Sequence, residues 1–121
     1  MLLIDTPMNN FTVPAALKTW IDLVVRPRRT FGYAPDGRKQ GMLADRPVFL
    51  LVACGGTFGA GPAAQTDFLT PYLRYVLGCV GLADLRPLLL ERMTRGAEEV
   101  ARAEAMAAEW MAAQLAGLRG G

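Results

Sequence analysis

Two short stretches of the chain have the composition of ligand loops. Thr6-Pro7-Met8-Asn9-Asn10-Phe11 combines a rigid proline, two apolar side chains and two carboxamides directly ahead of a helix-forming segment. Backbone N–H groups at a helix start lack intrahelical partners, so they can donate to acceptor atoms of a planar heterocycle, while Met8 and Phe11 supply apolar contact. The same residues equally suit an ordinary strand-to-helix turn with Asx capping. The second stretch, Ala53 to Gly61, carries Gly55-Gly56 and Gly59-x-Gly61, which let backbone approach a ligand closely. It has neither the G-x-G-x-x-G spacing of a dinucleotide fingerprint nor the G-K-[ST] ending of a P-loop.

Nucleophilic chemistry finds little support. The chain has no histidine, which removes Ser-His and Cys-His pairs and every histidine-containing zinc site. Cys54 stands at a predicted strand end beside two glycines and, lacking a base, reads as a buried thiol. It is 25 positions from Cys79, so there is no C-x-x-C pair and no disulfide framework. Asp5, Asp67 and Asp84 are too scattered for a metal site. No catalytic side chain and no metal ligand is therefore assigned. Phe31, Tyr33 and Phe58 are loop aromatics, open to reading either as satellite packing or as ligand contacts.

Charge narrows the classes further. A net +2, from 13 basic and 11 acidic residues, is too small to mark a nucleic-acid binder. Arg26, Arg28, Arg29, Arg38, Lys39 and Arg46 stand against only Asp36 and Asp45. That cluster fits either a solvated loop or attraction of an anionic ligand.

At 121 residues the chain suffices for one domain at roughly 150 residues per domain, and 52% hydrophobic content can fill a core. The longest apolar run, Val48 to Ala53, falls far short of the ~20 residues of a membrane span. No basic stretch leads an apolar one at the start, so no signal peptide is expected and a cytoplasmic location is.

The elements that position the two loops follow from hydrophobic period. Leu2 to Ile4 reads as a strand buried on both faces. Thr12 is a plausible cap for a helix in which Leu17, Trp20, Ile21, Val24 and Val25 share a face. A long polar connection follows from Arg26-Pro27 through Pro35-Asp36-Gly37. Pro47 to Ala53 is an apolar parallel strand. Leu73, Val76, Leu77 and Val80 mark the next helix, with Gly81 as its left-handed cap. Leu85 to Leu90 is a strand that Pro87 assigns to the sheet edge. A last helix runs from about Gly96 to Leu118, with Val100, Ala103, Ala107, Trp110 and Met111 on its stripe. This β-α-β-α-β-α order predicts an α/β fold with an open parallel sheet and right-handed crossovers. In such a sheet the ligand lies beyond the carboxyl ends of the strands, where both loops fall. An apolar strand at the very start suggests a chain beginning inside a larger doubly wound sheet, as a truncated frame or as a piece completed by another polypeptide.

Pro7-Met8-Asn9-Asn10-Phe11, Leu17-Lys18-x-Trp20-Ile21-Asp22-Leu23-Val24, Thr30-Phe31-x-Tyr33, Gly55-Gly56 and Thr70-Pro71-Tyr72-Leu73 together resemble the flavodoxin-like FMN-dependent NADH azoreductases, which also act as quinone reductases. The resemblance implies a flavodoxin-like open parallel sheet with helices on its faces, of which residues 1–121 supply the last three strands and helices. It implies FMN as cofactor, NADH or NADPH as donor, and ping-pong hydride transfer through flavin N5 to a quinone or azo substrate. It places Pro7, Met8, Asn9, Asn10 and Phe11, with Ala53, Cys54, Gly55 and Gly56, along the flavin ring. Phe31, Tyr33 and Phe58 fall near the substrate pocket, which in the family forms between the subunits of a homodimer. Asn9 stands where close relatives often have tyrosine, and Ala53-Cys54 replaces a pair that in some relatives is Ser-Arg. The alternative is a non-catalytic module that pairs with another polypeptide through its open strand edge.

Overall fold

The computed structural model describes residues 1–120. Its elements are β1 (Leu2–Pro7), α1 (Ala15–Val24), β2 (Phe31–Tyr33), β3 (Lys39–Gly41), β4 (Val48–Ala53), α2 (Leu69–Cys79), β5 (Leu85–Leu90) and α3 (Ala97–Arg119). Strands β1, β4 and β5 form a parallel sheet in the order β1-β4-β5. Pro7, Ala53 and Leu90 lie in register at one end, so the three strands finish on a common rim.

Strand β4 is apolar without alternation because both its faces are covered: Val48, Phe49, Leu50 and Val52 are fully buried. On one face Ile4, Val48, Leu50 and Val52 pack with Ile21 of α1 and Leu69, Leu73 and Leu77 of α2. Each such side chain contributes about 1.5–3 kcal/mol by leaving water. On the other face Phe49 meets Trp110 of α3 edge-on at 5.8 Å, and the Arg86 guanidinium lies 5.7 Å over the Phe49 ring. Pro87 sits in β5 at the sheet edge, where its missing N–H breaks no ladder. Gly81 takes φ +106, the left-handed conformation expected after α2.

Three expectations fail. The polar connection contains the antiparallel β2–β3 hairpin, pairing Phe31 with Gly41 and Tyr33 with Lys39. Thr12 does not cap α1: Pro14 occupies the cap position, and the Thr12 hydroxyl donates to the Phe68 carbonyl at 3.5 Å. Strand β1 is not buried on both faces, because it pairs only with β4 and Leu3 is 48% exposed. The helix on that side of the sheet, α3, packs against β5 and leaves β1 uncovered.

Candidate functional site

The parallel register carries the loops after β1, β4 and β5 to the same rim, and backbone bonds lock them together there. Met8 N–H donates to the Ala53 carbonyl at 2.8 Å, and Cys54 N–H to Leu90 at 3.0 Å. Beyond the strand ends, Met93 N–H donates to Cys54 at 3.0 Å and Arg92 N–H to Gly56 at 3.3 Å.

The first loop is a tight reverse turn. Asn9 and Thr12 exchange backbone bonds of 3.0 and 3.1 Å, while the central residues Asn10 and Phe11 take φ +48 and +71. Positive φ at both central positions is the type I′ geometry, normally built from Asn and Gly. A phenylalanine held there costs of order 1–3 kcal/mol, the kind of strain that collects at ligand sites. The Phe11 carbonyl accepts from Phe68 N–H at 2.9 Å, which fixes the turn to the start of α2. That start is itself held by Asp67, whose Oδ1 accepts from the N–H groups of Leu69 (2.8 Å) and Thr70 (2.9 Å).

Between the loops lies a cavity of about 220 Å³. Met8, Phe11 and Phe58 give it apolar walls; Asn10 and Gln65 bring carboxamides; Cys54, Gly55 and Gly56 form its floor. Among the described residues the Gly55 and Gly56 N–H groups donate to no protein acceptor. A Cβ on Gly55 would lie 3.2 Å from Thr94 Oγ1, so the β5 loop backs this floor closely. Burial pushes the Cys54 thiol up to about 11, reinforced by the charges of Glu91 and Asp67, and the protonated sulfur lies 3.5 Å from the Leu90 carbonyl. It is a structural thiol and not a nucleophile. Among the described residues no group of His, Cys, Asp and Glu could hold a metal.

Of the residues singled out by sequence, Met8, Asn10, Phe11, Cys54, Gly55, Gly56 and Phe58 line this cavity. Pro7 and Ala53 pair with each other as the last strand residues below it, and Asn9 is the corner of the turn. Phe31 and Tyr33 do not line it. Phe31 is buried in the hairpin, 4.9 Å beneath the Lys39 ammonium and edge-on to Tyr33, which is 63% exposed. The cations Arg38 and Lys39 line a separate groove of about 990 Å³ between the hairpin and α2. Sequence reasoning missed Gln65 and Thr94. The β5 loop could have been found, since a third parallel strand must end on the same rim.

Apolar walls and a floor of free N–H donors, with no ionised side chain lining them, suit a flat heteroaromatic ring bearing acceptor atoms on one edge. The flavodoxin-like fold family matches residues 1–115. FMN-dependent NADH:quinone oxidoreductase 2 of Cupriavidus pinatubonensis is 56% identical over 102 residues, 84% of this chain and 49% of the relative. An azoreductase of Bacillus anthracis superposes with TM-score 0.71 at 29% identity, over 88% of this chain and 54% of that one. An FMN-dependent NADH-azoreductase of the same species, solved with FMN, shares the fold at TM-score 0.76 and 24% identity, covering 93% of this chain and 55% of that one. The chain spans about half the length of the curated relatives it matches.

Proposed function

The chain belongs to the flavodoxin-like fold family, and from that premise we propose that it carries the flavin-ring part of an FMN-dependent NADH:quinone or azo oxidoreductase. The observation that bears most weight is that the strained Asn10-Phe11 turn and two glycines, Gly55 and Gly56, whose N–H groups have no protein acceptor among the described residues, line one cavity. The residues present fit the group. Met8, Phe11 and Phe58 would contact the ring faces, and the glycine N–H groups would meet its heteroatoms.

When bound, FMN would supply the hydride chemistry between a nicotinamide donor and a quinone or azo acceptor. The protein holds the ring at the rim and excludes water with its apolar walls. Its N–H groups offset the negative charge that reduction places on the ring. Being fixed by the backbone ladder of the rim, these donors need no reorganisation as that charge develops. None of these tasks uses a histidine or a nucleophile. NADH is the donor we favour, because the relatives' names specify it.

Tyr33, exposed on the hairpin and absent from its own chain's cavity, fits a homodimer in which the hairpin completes the partner's substrate pocket. Among the described residues no helix is long and apolar enough to cross a membrane.

The test is a titration of the purified chain with FMN, followed by visible absorption and fluorescence, then addition of NADH and a quinone. Flavin bands that bleach with NADH and return with the quinone are expected. A spectrum unchanged from free FMN, with no quinone-dependent NADH oxidation, overturns the reading.

One observation favours a second reading. The outer edge of β1 is unpaired among the described residues and Leu3 beside it is half exposed, as in a module that takes a strand from another polypeptide. Native mass measurement separates the two: this reading requires a hetero-partner and no flavin.

A further inference from the structure

Gln65 was found by no spacing or motif, yet it lies in the wall of the ring cavity. Its backbone is pinned, with its N–H donating to the Thr57 carbonyl at 2.7 Å and closing the loop between them. Its side chain lies over Gly56: a Cβ there would overlap Oε1 and stand 2.9 Å from Cδ and 3.3 Å from Nε2. The carboxamide thus occupies space that only a glycine leaves free, immediately beside the floor's unused donors. Among the described residues it makes no hydrogen bond of its own. It is an uncommitted donor and acceptor pair on a fixed backbone.

We infer that Gln65 is a specificity-determining residue of this site, whose carboxamide reads the imide edge of the flavin. The inference rests on the flavin reading above. A carboxamide presents one N–H donor and one C=O acceptor side by side. The imide edge of a flavin presents the complement, an N–H flanked by carbonyls. An apolar wall would hold any flat ring of the right size, whereas a polar pair left unmatched by the wrong ring penalises it. Donation from Nε2 to a ring carbonyl also strengthens as reduction makes the ring negative, so the same contact favours the reduced cofactor.

The experiment titrates the full 121-residue chain and its Gln65→Leu, Gln65→Glu and Gln65→Asn variants with FMN and with riboflavin, by fluorescence quenching. Riboflavin lacks the phosphate, so a loss common to both ligands reports the ring. We expect Gln65→Leu and Gln65→Glu to weaken both ligands about tenfold, the equivalent of one to two hydrogen bonds. Gln65→Glu also lowers the reduction potential of the bound flavin, because a carboxylate opposes the added charge. Gln65→Asn retains the amide on a shorter arm and loses less than Gln65→Leu. Denaturation midpoints matching the unaltered chain confirm that the fold is intact, as expected for an exposed side chain. Flavin affinities within twofold across the variants, or an unshifted potential in Gln65→Glu, overturn the inference while leaving the flavin reading standing. No flavin binding by the unaltered chain overturns both.

Discussion

Gly41 of the hairpin and Gly81 after α2 touch backbone to backbone. A Cβ on Gly41 would overlap the N and Cα of Gly81, and one on Gly81 would lie 2.5 Å from the Leu43 carbonyl oxygen. Leu43 N–H donates to Val80 at 3.0 Å beside this crossing. The hairpin is thus seated on the fold at a point with no room for side chains.

Alanine at either glycine should therefore cost stability. Neither obstruction is the flexible end of a side chain, so the backbone itself must move. Gly41→Ala is expected to lose about 1–3 kcal/mol, in the range of an overpacked core. Gly81→Ala adds the strain of its positive φ and should lose at least as much. Urea denaturation followed by circular dichroism reads both; an unchanged midpoint for Gly41→Ala would show that the crossing is loose.

Phe11 should separate stability from function. Its φ of +71 is unfavourable for any residue with a Cβ, and its ring is 45% exposed, so the fold gains little from it. Phe11→Gly is expected to keep the unfolding free energy within about 1 kcal/mol of the parent, strain relief offsetting lost contacts and added chain entropy. Flavin affinity should fall in the same variant. A much larger loss of stability, measured by denaturation, would identify Phe11 as a packing residue instead.

Cys54 should be silent at neutral pH and visible in alkali. With its thiol pushed up to about 11 by burial from an ordinary 9.0, the folded state holds its proton more tightly than the unfolded chain does. The resulting stabilisation is complete below pH 9 and disappears as pH rises through 11. Cys54→Ala should flatten the stability profile between those values. Iodoacetamide at pH 7.5 should leave Cys54 unmodified in the native protein, and peptide mass mapping that found it alkylated would contradict the assignment.

Asp67 should matter to the site through α2. Its carboxylate accepts from two N–H groups that would otherwise be orphaned at the helix start. Asp67→Ala is expected to cost about 1 kcal/mol, as for other lost caps. Because Phe68 next to it binds the Phe11 carbonyl, flavin affinity should fall as well. Asp67→Asn, which retains an acceptor oxygen, should recover most of both effects; failure to recover would assign the loss to charge and not to capping.

Much of this arrangement was legible in the residues. Strands β4 and β5 announced themselves as apolar runs, Pro87 marked an edge, and Gly81 marked a helix end, because each of those signals is local. The hairpin was hidden: β3 is Lys-Gln-Gly, exposed at every position, so no alternation betrays it. What makes it a strand is its seat against Gly81, a contact between residues forty positions apart. Thr12 looked like a cap because its type and place were right, but the turn before it points its hydroxyl toward Phe68 instead. Met8, Asn10, Phe11 and the glycine pair were legible as loop chemistry. Gln65 was not, since a lone glutamine in a glycine-rich loop has no period or spacing, and only the folded loop lays it over Gly56.

The Asn9–Thr12 turn is closed and anchored by main-chain atoms at every point that matters. The side chain at position 9 is thereby released from the task of building the rim, whereas position 10, at positive φ, still asks for a residue such as Asn that tolerates it. A residue of this turn that lines the cavity, as Asn10 does, can change what the cavity admits while the scaffold beneath stays the same.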